Sequence, residues 1–189
     1  MGTKIPFLNQ FVTAFLAVTV SVFPALAEMP ANPEAERLLR ELAKPDQPGW
    51  RQIEDSIVRE WSKSGSPAMD LLLQRGTEAM EAGDTDAAIA HLTALTDHAP
   101  DFAEGWNARA TAFFHAGEPG LSLGDIGRTL ALNPSHFGAL SGLAIILEEL
   151  GNERESLGAY RMLQAIHPHR PEVREAIERL EKTVEGENL

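Results

Sequence analysis

The chain has no cysteine among its 189 residues. That excludes disulfides, thiolate metal sites, cysteine nucleophiles and lipid attachment at a mature N-terminal cysteine. Lysine is missing from the middle: none stands between Lys63 and Lys182, so arginine supplies the strong cations there. Net charge is -12 and the pI is about 4.9. Such a balance repels nucleic acid and anionic lipid and removes both from the partner classes. A membrane-length apolar run is absent too, because the one from Phe11 to Phe23 falls short of the roughly 20 residues that span a bilayer. What remains is an ordinary globular balance of 43% hydrophobic and 23% charged residues, enough to bury a core in one domain.

The N-terminus has a layout of its own. Lys4 precedes the apolar run, Pro24 ends it, and Ala25, Leu26 and Ala27 stand before the first acid, Glu28. A basic start, a short apolar centre and an A-x-A ending form the pattern of a secretory signal peptide. Residues 1–27 are therefore expected to be removed after Ala27, leaving a mature chain outside the cytoplasm.

From Met69 to Arg170 one pattern is written three times. Glycines fall at Gly83, Gly117 and Gly151 and prolines at Pro100, Pro134 and Pro168, each step being 34 residues. Two residue types keeping one period mark a stacked repeat. Glycine after the last apolar residue of a helix supplies a left-handed turn, and proline cannot continue a helix. Each copy therefore reads as helix, tight turn, helix, tight turn, with copies at 69–102, 103–136 and 137–170. Small residues recur at the eighth position (Gly76, Ala110, Ala144) and the twentieth (Ala88, Ser122, Ser156). Large ones recur at the fourth (Leu72, Trp106, Leu140) and twenty-fourth (Leu92, Ile126, Tyr160). Large groups set against small ones let two antiparallel helices interlock.

These positions resemble the tetratricopeptide repeat, and the resemblance covers the three copies almost end to end. It implies an all-α, right-handed superhelix, an α-solenoid. The sequence departs from the family pattern at position seven, where Arg75 and Arg109 replace leucine, and at position twenty-seven, where Leu95, Thr129 and Leu163 replace alanine. Arg109 has a candidate partner in Asp125 on the facing helix. The wider texture, DFAEGWNARATAFFHAG above all, resembles small exported tetratricopeptide proteins of Gram-negative bacteria, which implies a periplasmic address and no defined activity.

Both ends depart from the repeat. Residues 28–66 read as a degenerate N-terminal cap repeat: Gly49 is in phase with Gly83, a short helix runs from Glu34 to Ala43, and Ile53, Ile57, Val58 and Trp61 line a second from Trp50 to Lys63. Such an end is expected to shield the open face of the first repeat. Trp50 and Trp61 are read as core, with a binding surface as the alternative. Ser66-Pro67 opens the first full repeat. At the other end, 171–185 forms a C-terminal capping helix with Val173, Ile177, Leu180 and Val184 on one stripe.

Chemistry-bearing patterns are few. Gly120 to Gly124 matches G-x-S-x-G, the nucleophile elbow, but that motif needs a strand before the serine and none is predicted there. Ser122 is instead the small residue of position twenty. His91 and His98 lie two helical turns apart, and His167 and His169 flank Pro168 with no third ligand in view, so they read as surface turn residues. No catalytic residue, metal site or cofactor is predicted.

That leaves the concave wall. In tetratricopeptide proteins it is formed by the first helix of each pair, and by resemblance positions two, five, nine and twelve face it. They carry Asp70, Leu73, Thr77 and Met80, then Glu104, Asn107, Thr111 and Phe114, then Gly138, Ser141, Ile145 and Glu148. Leu73, Met80 and Phe114 are expected to supply affinity, with Asn107 and Thr111 fixing orientation. With no lysine, the groove does not suit the acidic C-termini of heat-shock chaperones and favours neutral or basic segments. The expected function is a non-catalytic, monomeric scaffold or adaptor for a partner protein or peptide segment. A self-assembling structural oligomer is the alternative, ahead of a hydrolase or metal-binding protein.

Overall fold

The computed structural model describes residues 32–186. The signal-peptide pattern of 1–27 lies outside them. Within them are nine helices and no strand: α1 Pro33–Leu42, α2 Trp50–Trp61, α3 Pro67–Glu81, α4 Thr85–His98, α5 Ala103–His115, α6 Pro119–Leu132, α7 Phe137–Glu149, α8 Glu153–Ile166 and α9 Pro171–Gly186.

The periodic glycines do the same work three times. Gly83, Gly117 and Gly151 have φ of 76°, 77° and 75°. Each donates to the carbonyl three residues back, and the next residue reaches further, as in Asp84 to Ala79 at 2.8 Å, Glu118 to Phe113 at 2.9 Å and Asn152 to Leu147 at 2.8 Å. This is the left-handed cap that satisfies the last helical carbonyls and turns the chain sharply. The periodic prolines sit elsewhere than at helix starts. Pro100, Pro134 and Pro168 each lie two residues beyond the end of α4, α6 and α8, where they stop those helices; Pro67, Pro119 and Pro171 are the ones at first helical positions.

The helices pair as α3 with α4, α5 with α6 and α7 with α8, and the first helices also pack on one another, α3 on α5 and α5 on α7. The result is a tetratricopeptide-like solenoid with the first helices on its inner side. Positions eight, twenty and twenty-four are its seam. Ala88, Leu92, Ala110, Ser122, Ile126, Ala144, Ser156 and Tyr160 are all buried. The serines add a tie, since Ser122 Oγ donates to the carbonyl of Ala110 and Ser156 Oγ to that of Ala144, each at 2.8 Å. A buried hydroxyl must find a partner, and the facing helix supplies one at the same place in both copies. Trp106 differs from Leu140 at the same position: it lies over the α4–α5 turn, its Nε1 donating to the Pro100 carbonyl at 2.9 Å.

The N-terminal pair is the departure from expectation. Its bonds do not shield the first repeat but run 113 to 127 residues along the chain to the turn between α8 and α9. The Glu54 carboxylate takes both His167 Nε2, at 3.1 Å, and the Arg170 guanidinium. His169 Nε2 meets the carbonyls of Leu42 and Lys44 at 2.9 and 3.0 Å, at the C-terminal end of α1. Trp50 packs edge-on to His167, and Trp61 against His136 and Phe137. Leu38, Leu42 and Ile57 share one core with Phe137, Leu140, Leu163, Val173 and Leu180. Both tryptophans are thus partly buried core, as read from the sequence. His167 is not the surface residue expected; it is fully buried, while His169 is half-buried. α9 closes the same end with Val173, Ala176, Ile177 and Leu180 buried.

Candidate functional site

A cavity of about 180 Å³ opens between α5 and α7 on the inner side. Asn107, Thr111 and Phe114 line it from α5, Gly138, Gly142 and Ile145 from α7, and Ser122 and Ile126 of α6 floor it. Its walls are mainly apolar, with one amide and one hydroxyl at the rim. Gly142 is tight against the cavity floor, where a Cβ would stand 3.3 Å from Ile126 Cδ1, while a Cβ on Gly138 would meet Asn107 Oδ1 at an ordinary 3.7 Å.

The ten candidate groove residues divide. Asn107, Thr111, Phe114 and Ile145 converge on this cavity. Thr77 is exposed on α3, its hydroxyl donating to the Leu73 carbonyl at 3.0 Å. Met80 is half-buried against the first repeat's core, and Ser141 half-buried on α7. Leu73 is a correction: at 8% exposure it is core beneath the wall and cannot supply affinity from its surface. Glu104 turns to the turn edge, where its carboxylate holds His136 at 2.9 Å and Asn107 at 3.3 Å. Glu148 is occupied by Arg179 of α9, at 2.5 and 3.2 Å. Gly142 escaped the sequence reading, although a second glycine one turn after Gly138, within a helix, signals a close approach.

A larger cavity, about 640 Å³, lies where the N-terminal pair crosses the turn edge. Leu39, Trp61, Phe102 and Leu132 face it together with Lys63, Glu104 and Arg128. Nothing in the residue pattern announced it, because it exists only through the folding back of α1 and α2.

Arg109 finds the partner expected of it. Nε and Nη2 reach the two oxygens of Asp125 at 2.7 and 2.9 Å, and Nη1 donates to Thr96 Oγ1 at 2.8 Å. One guanidinium therefore ties α5 to α6 and to α4 of the preceding repeat, a paired and hydrogen-bonded buried charge. Burial pushes the His167 imidazole below its ordinary value, against the raising effect of Glu54. Burial, aided by Glu148, pushes the Tyr160 phenol up.

The elbow pattern has no counterpart in space. Ser122 lies inside α6, 1% exposed, with its hydroxyl committed to the Ala110 carbonyl. Among the described residues no group of three or more His, Asp or Glu is placed to hold a metal ion, and no helix is long and apolar enough to cross a membrane.

The tetratricopeptide repeat family model matches residues 73–128. Over that span the repeats match the tetratricopeptide family. A tetratricopeptide repeat-containing protein of Rhizobium etli is 37% identical over 134 residues, an alignment covering 71% of this chain and 66% of that relative's length. Among solved structures, the first tetratricopeptide domain of Spaghetti (RPAP3), bound to the HSP90 peptide SRMEEVD, superposes with a TM-score of 0.60 at 22% identity, covering 63% of this chain and 97% of that one. The MamA protein does so with a TM-score of 0.57 at 20% identity, covering 79% and 82%. At those identities the likeness is one of fold. Tetratricopeptide domains are protein-interaction modules, and the Spaghetti (RPAP3) domain holds a peptide.

Proposed function

We propose that this tetratricopeptide protein is a non-catalytic adaptor that holds an extended segment of a partner protein in the groove between α5 and α7. The observation that carries the reading is the convergence of Asn107, Thr111, Phe114 and Ile145 on one cavity sized for a single branched apolar side chain. An apolar pocket rimmed by an amide and a hydroxyl suits a peptide, the pocket taking a side chain and the rim the backbone.

The segment is neutral or basic. Residues 103–149, which run from α5 through α7, carry five acidic side chains against two arginines, and no lysine stands in the repeats. The peptide SRMEEVD, with three carboxylate side chains against one arginine, has the wrong sign for such a surface. The N-terminal pattern of 1–27 supports export, and with the resemblance to exported repeat proteins a periplasmic site of action. The occupation of Ser122 supports the absence of hydrolase chemistry there.

The test uses the mature chain and its Asn107→Ala, Phe114→Ala double variant on an array of overlapping peptides from the exported proteins of its own cell. The wild type should retain a set of neutral or basic peptides that the variant loses with its helicity unchanged. Equal retention by both would defeat the site assignment. Self-assembly is the second reading, favoured by Leu71, which is 44% exposed on α3. Sedimentation at micromolar concentration separates the two, a monomer being expected of the adaptor.

A further inference from the structure

Asn107 lines the groove, but what fixes its amide comes from outside it. The contacts begin on α2, where the Trp61 indole stacks on the His136 imidazole with ring centroids 4.5 Å apart and planes 21° from parallel. His136 is 3% exposed and caps α7, its Nδ1 accepting the backbone N–H of Ala139 at 3.1 Å. A ring nitrogen that accepts carries no proton, so a neutral imidazole here holds its proton on Nε2. Glu104 Oε2 lies 2.9 Å from that nitrogen, and Oε1 of the same carboxylate lies 3.3 Å from Asn107 Nδ2. A carboxylate accepts and does not donate. The amide nitrogen of Asn107 is therefore the end turned to Glu104, and the amide oxygen is left for whatever enters the cavity.

We infer that the N-terminal helix pair sets the polarity of the groove: Trp61 and His136, acting through Glu104, hold the Asn107 amide with its oxygen toward the cavity, so the groove selects segments that offer an N–H there. Trp61 and His136 are positioning residues, remote from the ligand. The inference rests on the groove reading and deepens it, because it names the chemistry of the preferred partner. A backbone N–H, a side-chain amide or a cationic nitrogen is accepted, and a carboxylate or free C-terminus meets an acceptor and is turned away. Gly138 makes room for the arrangement, since a Cβ there would stand 3.3 Å from His136 Cε1.

Isovaleramide and methyl isovalerate test it. Both are neutral and share one branched apolar body, but only the first carries an N–H. Titrated into the isotope-labelled full mature protein, isovaleramide should move the Asn107 side-chain and Ile145 methyl signals at about fivefold lower concentration, the worth of one hydrogen bond. In Glu104→Gln, whose own amide can donate, the Asn107 amide is free to reverse and the ratio should fall to about one or invert. Trp61→Ala should lower the ratio too, and Trp61→Phe, which keeps a ring on the imidazole, should restore it. Nitrogen NMR of wild-type His136 should show the proton on Nε2. A proton on Nδ1, or a ratio unchanged in Glu104→Gln, overturns the inference. If neither probe moves the wild-type signals, the groove reading is what fails, and the His136 tautomer in wild type against Trp61→Ala still decides the positioning chain: a change supports it, no change sinks it. Should Trp61→Ala not fold, Glu104→Gln decides alone.

Discussion

The first and third repeats share a period, a turn and a seam, yet they end up in different surroundings. In the first, α3 presents Leu71 to solvent and the buried side chains of its core come from α3, α4 and α5. In the third, Phe137, Leu140 and Leu163 are shared with α9 and with Leu38, Leu42 and Ile57 of the N-terminal pair. Place in the chain is therefore not place in the stack. The segment that precedes the first repeat fastens the last one, and the turn edge of the solenoid is where it attaches.

Loosening that attachment should have the largest effect. Leu42 is fully buried where α1 meets the third repeat, so Leu42→Ala should cost about 2 to 5 kcal/mol. Hydrogen exchange should then show protection lost across α7 to α9 and kept in α3 and α4; equal losses in both would break the comparison. Next comes Asp125→Ala, which leaves the Arg109 guanidinium largely buried and unpaired and should cost about 3 kcal/mol by urea unfolding. Its exchange signature should lie in α4 to α6 instead.

The helices and their turns were legible because they rest on local chemistry. A glycine whose φ is near +75° and a proline that stops a helix leave their mark at one position each, and the period repeats that mark. The Arg109–Asp125 pair was legible because both sit on facing helices of one repeat. The docking of α1 and α2 was not, since His167 lies 113 residues from Glu54 and His169 lies 127 from Leu42, and these pairs follow no period. Leu73 was misplaced for a related reason: assigning a residue to the inner wall by position ignores how deeply a small neighbour such as Gly76 lets the facing helix approach. The Gly76 site is tight, a Cβ there falling 2.5 Å from Leu92 Cγ, whereas the later copies carry alanine.

Acid should also act on the third repeat more than on the first. Burial lowers the His167 pKa, so the folded chain binds fewer protons than the unfolded one below the ordinary histidine value of about 6.5. Its contribution is fully present above that pH and declines as pH falls, with a slope no steeper than about 1.4 kcal/mol per pH unit. Melting temperature followed from pH 7 to 5 should drop, and the part due to this ring should vanish in His167→Gln; an identical slope in the variant would rule the ring out. The smallest effect is expected at the turns, where Gly83→Ala and Gly151→Ala should each cost about 1 kcal/mol, because both glycines use the same left-handed conformation. A marked inequality would mean that surroundings outweigh the turn itself.

The absence of native cysteine allows the central contact to be measured directly. Glu54→Cys and Arg170→Cys placed together should be joined within one chain by a short bismaleimide, giving a compact monomer on a denaturing gel at every protein concentration. Joining only between chains, or none at all, would contradict the folding of the N-terminal pair onto the third repeat.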